Sequence, residues 1–181
     1  MISIVVNFFN NCREAERTLF SLSRAYQKGI FDTPYEVIVI DHGSTKPLSA
    51  STVMSFGPEF KYRFVKTTSV SPVKAINVAC RDAAGDELLV LIDGAHILSP
   101  GILKAATDAF KMFANPFIAT VPFHLGPKRQ NESVADGYNQ QVEDALLAPI
   151  DWKSNGYKLY TATGNFADSS GGWFGCLLES G

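Results

Sequence analysis

The residues best suited to chemistry follow two apolar runs, each of which ends in an acid and a loop of small residues. The loops are Asp93-Gly94-Ala95-His96 after Leu88–Ile92 and Asp41-His42-Gly43-Ser44-Thr45 after Tyr35–Ile40. Carboxylates and imidazoles accept hydrogen bonds, ligate cations and transfer protons. Ligands bind at the carboxyl ends of strands in open α/β sheets. If both runs are parallel strands, Asp41, Asp93 and His96 are candidates for one binding site.

The run at 88–92 is predicted to be the central strand of the fold. Its five consecutive Leu, Val and Ile residues are too few for a membrane span and are typical of a strand buried on both faces of a parallel sheet. Ser3–Val6 is predicted to be the first strand and Tyr35–Ile40 the second. Lys61–Thr67 is predicted to be a third strand near an edge, and Phe117–Phe123 a fifth strand.

Helix signals alternate with these strands. Asn11 and Glu14 have the spacing of a capping box, and Pro72 stands at a helix start. Ser99 and Pro100 open another helix, and apolar residues recur at helical spacing after each start. This alternation predicts a doubly wound, mostly parallel α/β sheet through about residue 123.

Composition places the chain among ordinary globular proteins. It has 181 residues, 46% of them hydrophobic and 19% charged, with a net charge of −2, which suits a single domain. Because the basic residues are scattered, the sequence predicts no positively charged patch that would bind nucleic acid. No apolar stretch is long enough to span a membrane. Cys12, Cys80 and Cys176 match no metal-ligand spacing. Reduced thiols and an N-terminus without a cationic leader predict a cytoplasmic protein.

The structural signal weakens after Phe123. A polar loop is predicted at 126–133, and apolar residues from Tyr138 to Leu146 predict one more helix. Glycine and aromatic residues at 164–175 are typical of a binding rim. Cys176–Glu179 has the pattern of the start of a strand, so we expect the fold to continue beyond Gly181.

Several short motifs, taken in order, resemble the nucleotide-binding half of the family 2 glycosyltransferases, which have the Rossmann-like GT-A fold. They are Asn7-Phe8-Phe9-Asn10, Asp41-His42-Gly43-Ser44, Ala75-Ile76-Asn77, Ala84-Gly85-Asp86 and Asp93-Gly94-Ala95-His96. The resemblance covers about residues 2–122. It implies one three-layer domain truncated at the C-terminus, with 1–123 binding the nucleotide sugar and 124–181 forming part of the acceptor side.

The resemblance assigns roles to residues of the first two loops. In the family, the loop after the first strand usually has the sequence Pro-x-Tyr/Phe-Asn and contacts the nucleotide base. Asn7 stands at the proline position and Phe9 at the aromatic one. Asp41 stands where an acid hydrogen-bonds the base, with Gly43 and Ser44 completing that loop. From the residues alone, Asp41 could instead cap the turn at Gly43 and Ser44.

The diphosphate side departs from the family pattern. Isoleucine replaces the arginine of the family's Ala-Arg-Asn segment, so Lys74 is a candidate substitute beside Asn77. The family carries Asp-x-Asp to bind Mg or Mn, and here Ala95 replaces the second acid. Either His96 joins Asp93 as a metal ligand, which Mn tolerates better than Mg, or the metal is weakly held, or none is used.

The implied function is transfer of a sugar from a nucleoside-diphosphate sugar to a saccharide or other hydroxyl acceptor, with inversion. A UDP-sugar is the first choice of donor. The family's catalytic base normally lies further along than Gly181, and neither Asp168 nor Glu179 matches its motif. Alternatives are an inactive nucleotide-sugar-binding module of the same fold, a nucleotidyltransferase and a partner-binding role without nucleotide. Against the nucleotidyltransferase, the first strand is not followed by a Gly-rich phosphate loop with a lysine.

Overall fold

A computed structural model describes residues 1–120 and 122–164 of the chain. The chain forms two compact units, Met1–Pro116 and Phe117–Gly181. The strands of the first unit are β1 (Ile2–Phe8), β2 (Tyr35–His42), β3 (Phe60–Val65) and β4 (Glu87–Leu91). Its helices are α1 (Cys12–Leu22), α2 (Ala50–Met54), α3 (Val73–Asp82) and α4 (Ile102–Met112).

The strands of the first unit form a parallel four-stranded sheet in the order β3-β2-β1-β4. This confirms the parallel α/β architecture that the alternation of strands and helices predicted, and it places β3 at an edge as expected. Every residue of β1 and β2 is buried, because each of these strands has a strand on either side and helices on both faces.

The strand β4 is not the central strand that its apolar run predicted. Within the part of the chain that the structure describes, it lies at the edge of the sheet beside β1. Leu88 and Val90 are 39% and 42% exposed, whereas Leu89 and Leu91 pack against the core. The prediction of burial on both faces was wrong because an apolar run does not indicate how many strands flank it.

Helices on both faces of the sheet complete a three-layer sandwich. The larger core lies between the sheet and α1, α2 and α4, and it contains Ile4, Val6 and Phe8 of β1. A smaller core packs Val5 of β1 and Ile38 of β2 against α3. Successive side chains of a strand point to opposite faces, so one strand supplies both cores. This is the layered fold that the resemblance implied.

The capping box predicted at Asn11 and Glu14 is not formed. Asn11 lies at the N-cap of α1, but its side chain makes no cap hydrogen bond. Its Oδ1 instead accepts a hydrogen bond from the backbone N–H of Phe9 at 3.1 Å. The side chain therefore closes the turn between β1 and α1, and it is unavailable to the first turn of the helix.

A buried carboxylate closes the amino end of the sheet. Glu36 is 5% exposed. It accepts hydrogen bonds from Ser3 Oγ at 2.6 Å, from Ala84 N at 2.7 Å and from Lys61 Nζ at 2.5 Å. Burial by itself raises the pKa of Glu36, but these hydrogen bonds outweigh burial and hold the pKa below its usual value. The carboxylate thus ties three strands to the turn before β4.

The second unit contains α5 (Gln130–Ala135), α6 (Gln140–Leu147) and an antiparallel pair, β5 (His124–Leu125) and β6 (Thr163–Gly164). Short 3₁₀ segments span Ala148–Ile150 and Gly156–Thr161. The helix α6 confirms the one predicted between Tyr138 and Leu146. The polar loop predicted at 126–133 is interrupted by the start of α5, so that prediction was wrong.

The fifth strand predicted at Phe117–Phe123 does not form in residues 117–120 and 122–123. Pro122 lies within that run and has no N–H to donate to a strand ladder, which explains the failure. The predicted rim beyond Gly164 and the strand at Cys176–Glu179 lie outside the described residues. In residues 1–120 and 122–164, no helix is long and apolar enough to cross a membrane.

Candidate functional site

Three loops follow strands at the carboxyl edge of the parallel sheet of the first unit. The first loop (9–11) follows β1, the second (43–49) follows β2, and the third (92–101) follows β4. The strand register pairs Phe8 with Asp41 and Val6 with Leu91, so these strands end at nearly the same level. The topology therefore brings both acid-containing motifs to one edge, as the sequence predicted.

Asp41 anchors the second loop from inside the protein. Its side chain is 0% exposed. Oδ1 accepts a hydrogen bond from the N–H of Ser44 at 3.3 Å, and Oδ2 accepts one from the N–H of Leu48 at 2.8 Å and one from the hydroxyl of Tyr62 at 3.4 Å. This is the turn-capping role that the residues alone left open. Contact between Asp41 and a nucleotide base stays a prediction.

The pKa of Tyr62 depends on the negative charge of Asp41. Burial, together with the negative charge of Asp41 and the hydrogen bond to it, raises the pKa of Tyr62 to about 12. The tyrosine hydroxyl therefore stays protonated at neutral pH and acts as a donor to Asp41.

Gly43 is required by the backbone of the second loop. Its φ is +71°, in the left-handed region, and a Cβ at this position would lie 2.6 Å from the carbonyl oxygen of Thr67. Both the conformation and the contact exclude a side chain. Ser44 follows it and is 7% exposed.

Asn10 joins the first loop to the second. Its backbone N–H donates to Ser44 Oγ at 2.9 Å. Its side-chain Oδ1 accepts hydrogen bonds from the N–H of Thr45 at 2.9 Å and from Thr45 Oγ1 at 3.0 Å. Nearby, Cys12 donates from Sγ to the carbonyl of Lys46 at 2.9 Å. The two loops are thus connected without a ligand.

Two neighbouring aromatic residues at the end of β1 have opposite environments. Phe8 is 0% exposed and belongs to the larger core, whereas Phe9 is 55% exposed. The ring of Phe9 is accessible for stacking on a planar ligand, and that role stays a prediction. Asn7 is 6% exposed, and its Nδ2 donates to the carbonyl of Ile92 at 3.3 Å. It therefore ties β1 to the third loop.

Polar side chains on the core face of α1 hold the third loop. Thr18 donates from Oγ1 to the carbonyl of Gly94, and Ser21 Oγ accepts a hydrogen bond from the N–H of Leu98 at 3.0 Å. Both hydroxyl residues are 0% exposed. Neither residue was predicted from the sequence, because the core face of a helix is normally apolar. The available signal was a pair of small hydroxyl residues three positions apart on one helix face.

Gln27 completes this attachment beyond the end of α1. Its Nε2 donates to the carbonyl of Ser99 at 3.1 Å, and its Oε1 accepts from the N–H groups of Gly101 at 3.1 Å and Leu103 at 3.4 Å. The N-cap residue of α4, Gly101, has no side chain, so Gln27 satisfies amide groups that a cap residue would otherwise satisfy. The sequence contains no local signal for a helix cap that is supplied by a residue as distant along the chain as Gln27 is from α4.

Asp93 and His96 are both exposed on the third loop. The carboxylate of Asp93 accepts a hydrogen bond from the N–H of Ala95 at 3.0 Å. In residues 1–120 and 122–164, no group of three or more His, Cys, Asp or Glu side chains is placed to hold a metal ion. Asp93 and His96 therefore do not form a complete metal site with the other described residues.

The two candidates on α3 stand apart from this network. Lys74 and Asn77 are exposed, and within the described ranges no hydrogen bond joins either side chain to the three loops. His42, which follows Asp41 in the second motif, is 5% exposed. Its Nε2 lies 3.0 Å from the carbonyl oxygen of Ser69, in the connection that leads to α3.

The sequence of this chain matches the model of the glycosyl transferase family 2 over residues 3–162. The chain belongs to glycosyl transferase family 2. The matched range contains the parallel sheet and all three loops of its carboxyl edge. This family 2 chain has no match among the curated proteins compared with it.

Solved structures similar to this family 2 chain include S. aureus TarS. TarS 1–349 in complex with UDP-GlcNAc is 23% identical with a TM-score of 0.52, covering 66% of this chain and 37% of that chain. A second TarS structure is 28% identical with a TM-score of 0.51, covering 61% of this chain and 19% of that chain. A further structure of TarS 1–349 is 20% identical with a TM-score of 0.52, and the match covers 91% of this chain and 56% of that chain. The chain thus spans 19–56% of the length of these structures, which share its GT-A fold.

Proposed function

We propose that this chain is the donor-binding part of a glycosyltransferase that uses a nucleoside-diphosphate sugar. The main support for the proposal is that residues 3–162 of this chain match glycosyl transferase family 2. TarS 1–349 has been solved with UDP-GlcNAc and with UDP, which supports a UDP-sugar as the first donor to test. The acceptor in this proposal is a saccharide or another hydroxyl compound.

The nucleotide base is proposed to bind against the first and second loops. Phe9 offers an exposed ring for stacking, while Asn7, Gly43 and Ser44 shape the loops that border it. Asp41 accepts three hydrogen bonds from the protein, and the one from Tyr62, at 3.4 Å, is the longest. The carboxylate retains acceptor capacity beyond these three bonds, but Asp41 is 0% exposed, so direct contact with a base N–H requires the second loop to open around it.

The diphosphate is proposed to lie toward Asp93, Lys74 and Asn77. In the reaction, the acceptor hydroxyl forms a new bond to the anomeric carbon, the bond from that carbon to the diphosphate breaks, and the configuration inverts. The hydroxyl proton passes to a base that we do not assign among the described residues. Negative charge grows on the leaving diphosphate, and the ammonium group of Lys74 stabilises it.

A divalent cation would resolve one electrostatic difficulty of this arrangement. A carboxylate such as Asp93 repels a diphosphate unless a cation lies between them. Asp93 and His96 do not complete a cation site with other described protein ligands, so diphosphate oxygens and water would have to supply the remaining ligands of a Mg or Mn ion there. The proposed reaction therefore assigns no step to a metal.

Isothermal titration of the chain with UDP, GDP, CDP and dTDP and their sugars, with and without Mn, tests the donor proposal. We expect one nucleotide to bind, and no binding by any of them would contradict the proposal. Asp41→Ala should weaken that binding by about 1–3 kcal/mol, as for a lost hydrogen bond to a charged group. An unchanged affinity in the folded variant would count against Asp41 as a base contact. Asp82→Ala is the matched control, since Asp82 pairs with Arg63 on the surface.

His96 provides a separate test of the metal. If His96 is a ligand, Mn should tighten nucleotide binding to the wild-type chain, and His96→Ala should remove that gain while leaving metal-free affinity unchanged. Equal affinity with and without Mn in the wild-type chain would exclude a bound metal as part of donor recognition.

The second candidate function is a nucleotide-sugar-binding module without transferase activity. Ala95 in place of the family's second acid favours it, because alanine cannot ligate a cation. The two candidates differ in turnover: a binding module binds the donor but releases no nucleoside diphosphate with any acceptor tested. Release of nucleoside diphosphate that depends on an acceptor would exclude it.

A further inference from the structure

We infer that Asn10 is a positioning residue that fixes the first loop against the second before any ligand binds. Asn10 has a φ of 55°, in the left-handed region where Asn is one of the few residues tolerated besides Gly. That conformation directs its backbone N–H to Ser44 and its side-chain Oδ1 to Thr45. One residue of the first loop thus both donates to the second loop and accepts from it.

The link continues inward to the buried anchor of the site. Ser44 accepts from Asn10 through Oγ and donates its N–H to Asp41. Asp41 is fully buried and also holds the N–H of Leu48. A continuous series of hydrogen bonds therefore runs from the core, through the second loop, to the backbone of Asn10.

The exposed neighbour of Asn10 gives this link its functional consequence. Phe9 precedes Asn10, its ring is 55% exposed, and its backbone N–H is held by the side chain of Asn11. Fixing Asn10 fixes the backbone from which the ring of Phe9 projects, so the ring is placed in advance for a planar ligand. This effect on nucleotide affinity rests on the proposed function, whereas the link between the loops does not.

Substitutions at Asn10 separate the backbone conformation from the acceptor. Asn10→Asp retains an acceptor oxygen and tolerates the left-handed region, Asn10→Gly retains only the conformation, and Asn10→Ala retains neither. Thr45→Val removes the Oγ1 donor from the opposite loop and serves if Asn10→Ala does not fold. Asn115→Ala is the matched backbone control, since Asn115 has a φ of 52° and its side chain makes no hydrogen bond within the described residues.

Two measurements on the full chain test the inference. Amide hydrogen exchange at Gly43–Leu48 reports the link between the loops without any ligand. Titration calorimetry with UDP, GDP, CDP and dTDP reports nucleotide affinity. For Asn10→Ala and Asn10→Gly we expect exchange at Thr45 about tenfold faster and nucleotide affinity about tenfold weaker, since two hydrogen bonds are lost. Asn10→Asp should stay within about twofold of wild type, and Asn115→Ala should leave both measurements unchanged.

Each outcome decides a different part of the inference. Unchanged exchange in Asn10→Ala would overturn the link between the loops. Faster exchange with unchanged nucleotide affinity would overturn the positioning role. Wild-type exchange and affinity in Asn10→Gly, with both altered in Asn10→Ala, would overturn the role of the side-chain acceptor, because Asn10→Gly retains only the backbone conformation. If no nucleotide binds the wild-type chain, the proposed function fails together with the positioning role, and the exchange data still decide the link.

Discussion

Replacing Asp41 by Asn tests whether a buried charge organises the second loop. The carboxylate accepts from two backbone N–H groups, those of Ser44 and Leu48, and hydrogen bonds to charged groups each contribute about 1.5–3 kcal/mol. Asn keeps one acceptor oxygen but turns an NH₂ group toward a donor. We therefore expect Asp41→Asn to lower the free energy of unfolding by about 2–4 kcal/mol, measured by urea denaturation followed by circular dichroism.

Tyr62 supplies an independent measure of the same charge. Burial and the charge of Asp41 together raise its pKa to about 12. In Asp41→Asn the charge is removed while burial remains, so the pKa should fall toward, without reaching, the ordinary value of 10.0. Tyrosine ring NMR shifts followed against pH give this pKa, with Tyr62→Phe identifying the signal. An unchanged pKa, with a stability loss no larger than that of Asp82→Asn, would refute the reasoning.

Three further variants test the scaffold of the site. Glu36→Gln should flatten the pH dependence of the free energy of unfolding. The folded pKa of Glu36 lies below its ordinary value of 4.5, so the stabilisation by this carboxylate is present above pH 4.5 and is lost as the pH falls through the folded pKa. A wild-type free energy of unfolding that does not change with pH below 4.5 would contradict this. Gln27→Leu should cost about 2–4 kcal/mol in urea unfolding, because amides at the start of α4 lose their acceptor; a loss under about 0.5 kcal/mol would show that water replaces it. Gly94→Ala should cost about 1–3 kcal/mol, since a Cβ there would lie 2.2 Å from Phe8 Cδ1; wild-type stability would mean that the loop can move away.

The sequence predicted the first four strands and their parallel direction, because apolar runs and loop acids are local signals. The runs at 35–40 and 88–92 became β2 and β4, and Asp41 and Asp93 followed them at one edge. The position of β4 in the sheet was not predictable, since strand order depends on pairing partners that are distant in sequence. The exposure of Leu88 and Val90 follows from that order and not from their own type.

The polar contacts of the site were the hardest part to predict. The spacing of Asn11 and Glu14 is correct for a capping box, yet Asn11 bonds to Phe9, because a nearby turn competes for the same acceptor. Asn10 was visible only as part of a motif, since its partners Ser44 and Thr45 come from another loop. Such contacts depend on how loops meet in space, which the order of residues does not reveal.

The attachment of the third loop to α1 also bears on the order in which the fold is assembled. Thr18, Ser21 and Gln27 bind groups that lie 76, 77 and 72 residues further along the chain. Contacts of such long sequence separation form late, because closing the intervening chain costs entropy before they contribute stability. The pairing of β4 with β1 joins residues just as distant, such as Ile2 and Glu87, so we expect the loop that carries Asp93 and His96 to take its shape in the same late stage as this pairing. We therefore expect a substitution that slows this pairing to delay the site more than it delays the β1–β2 half of the sheet, measured by stopped-flow refolding.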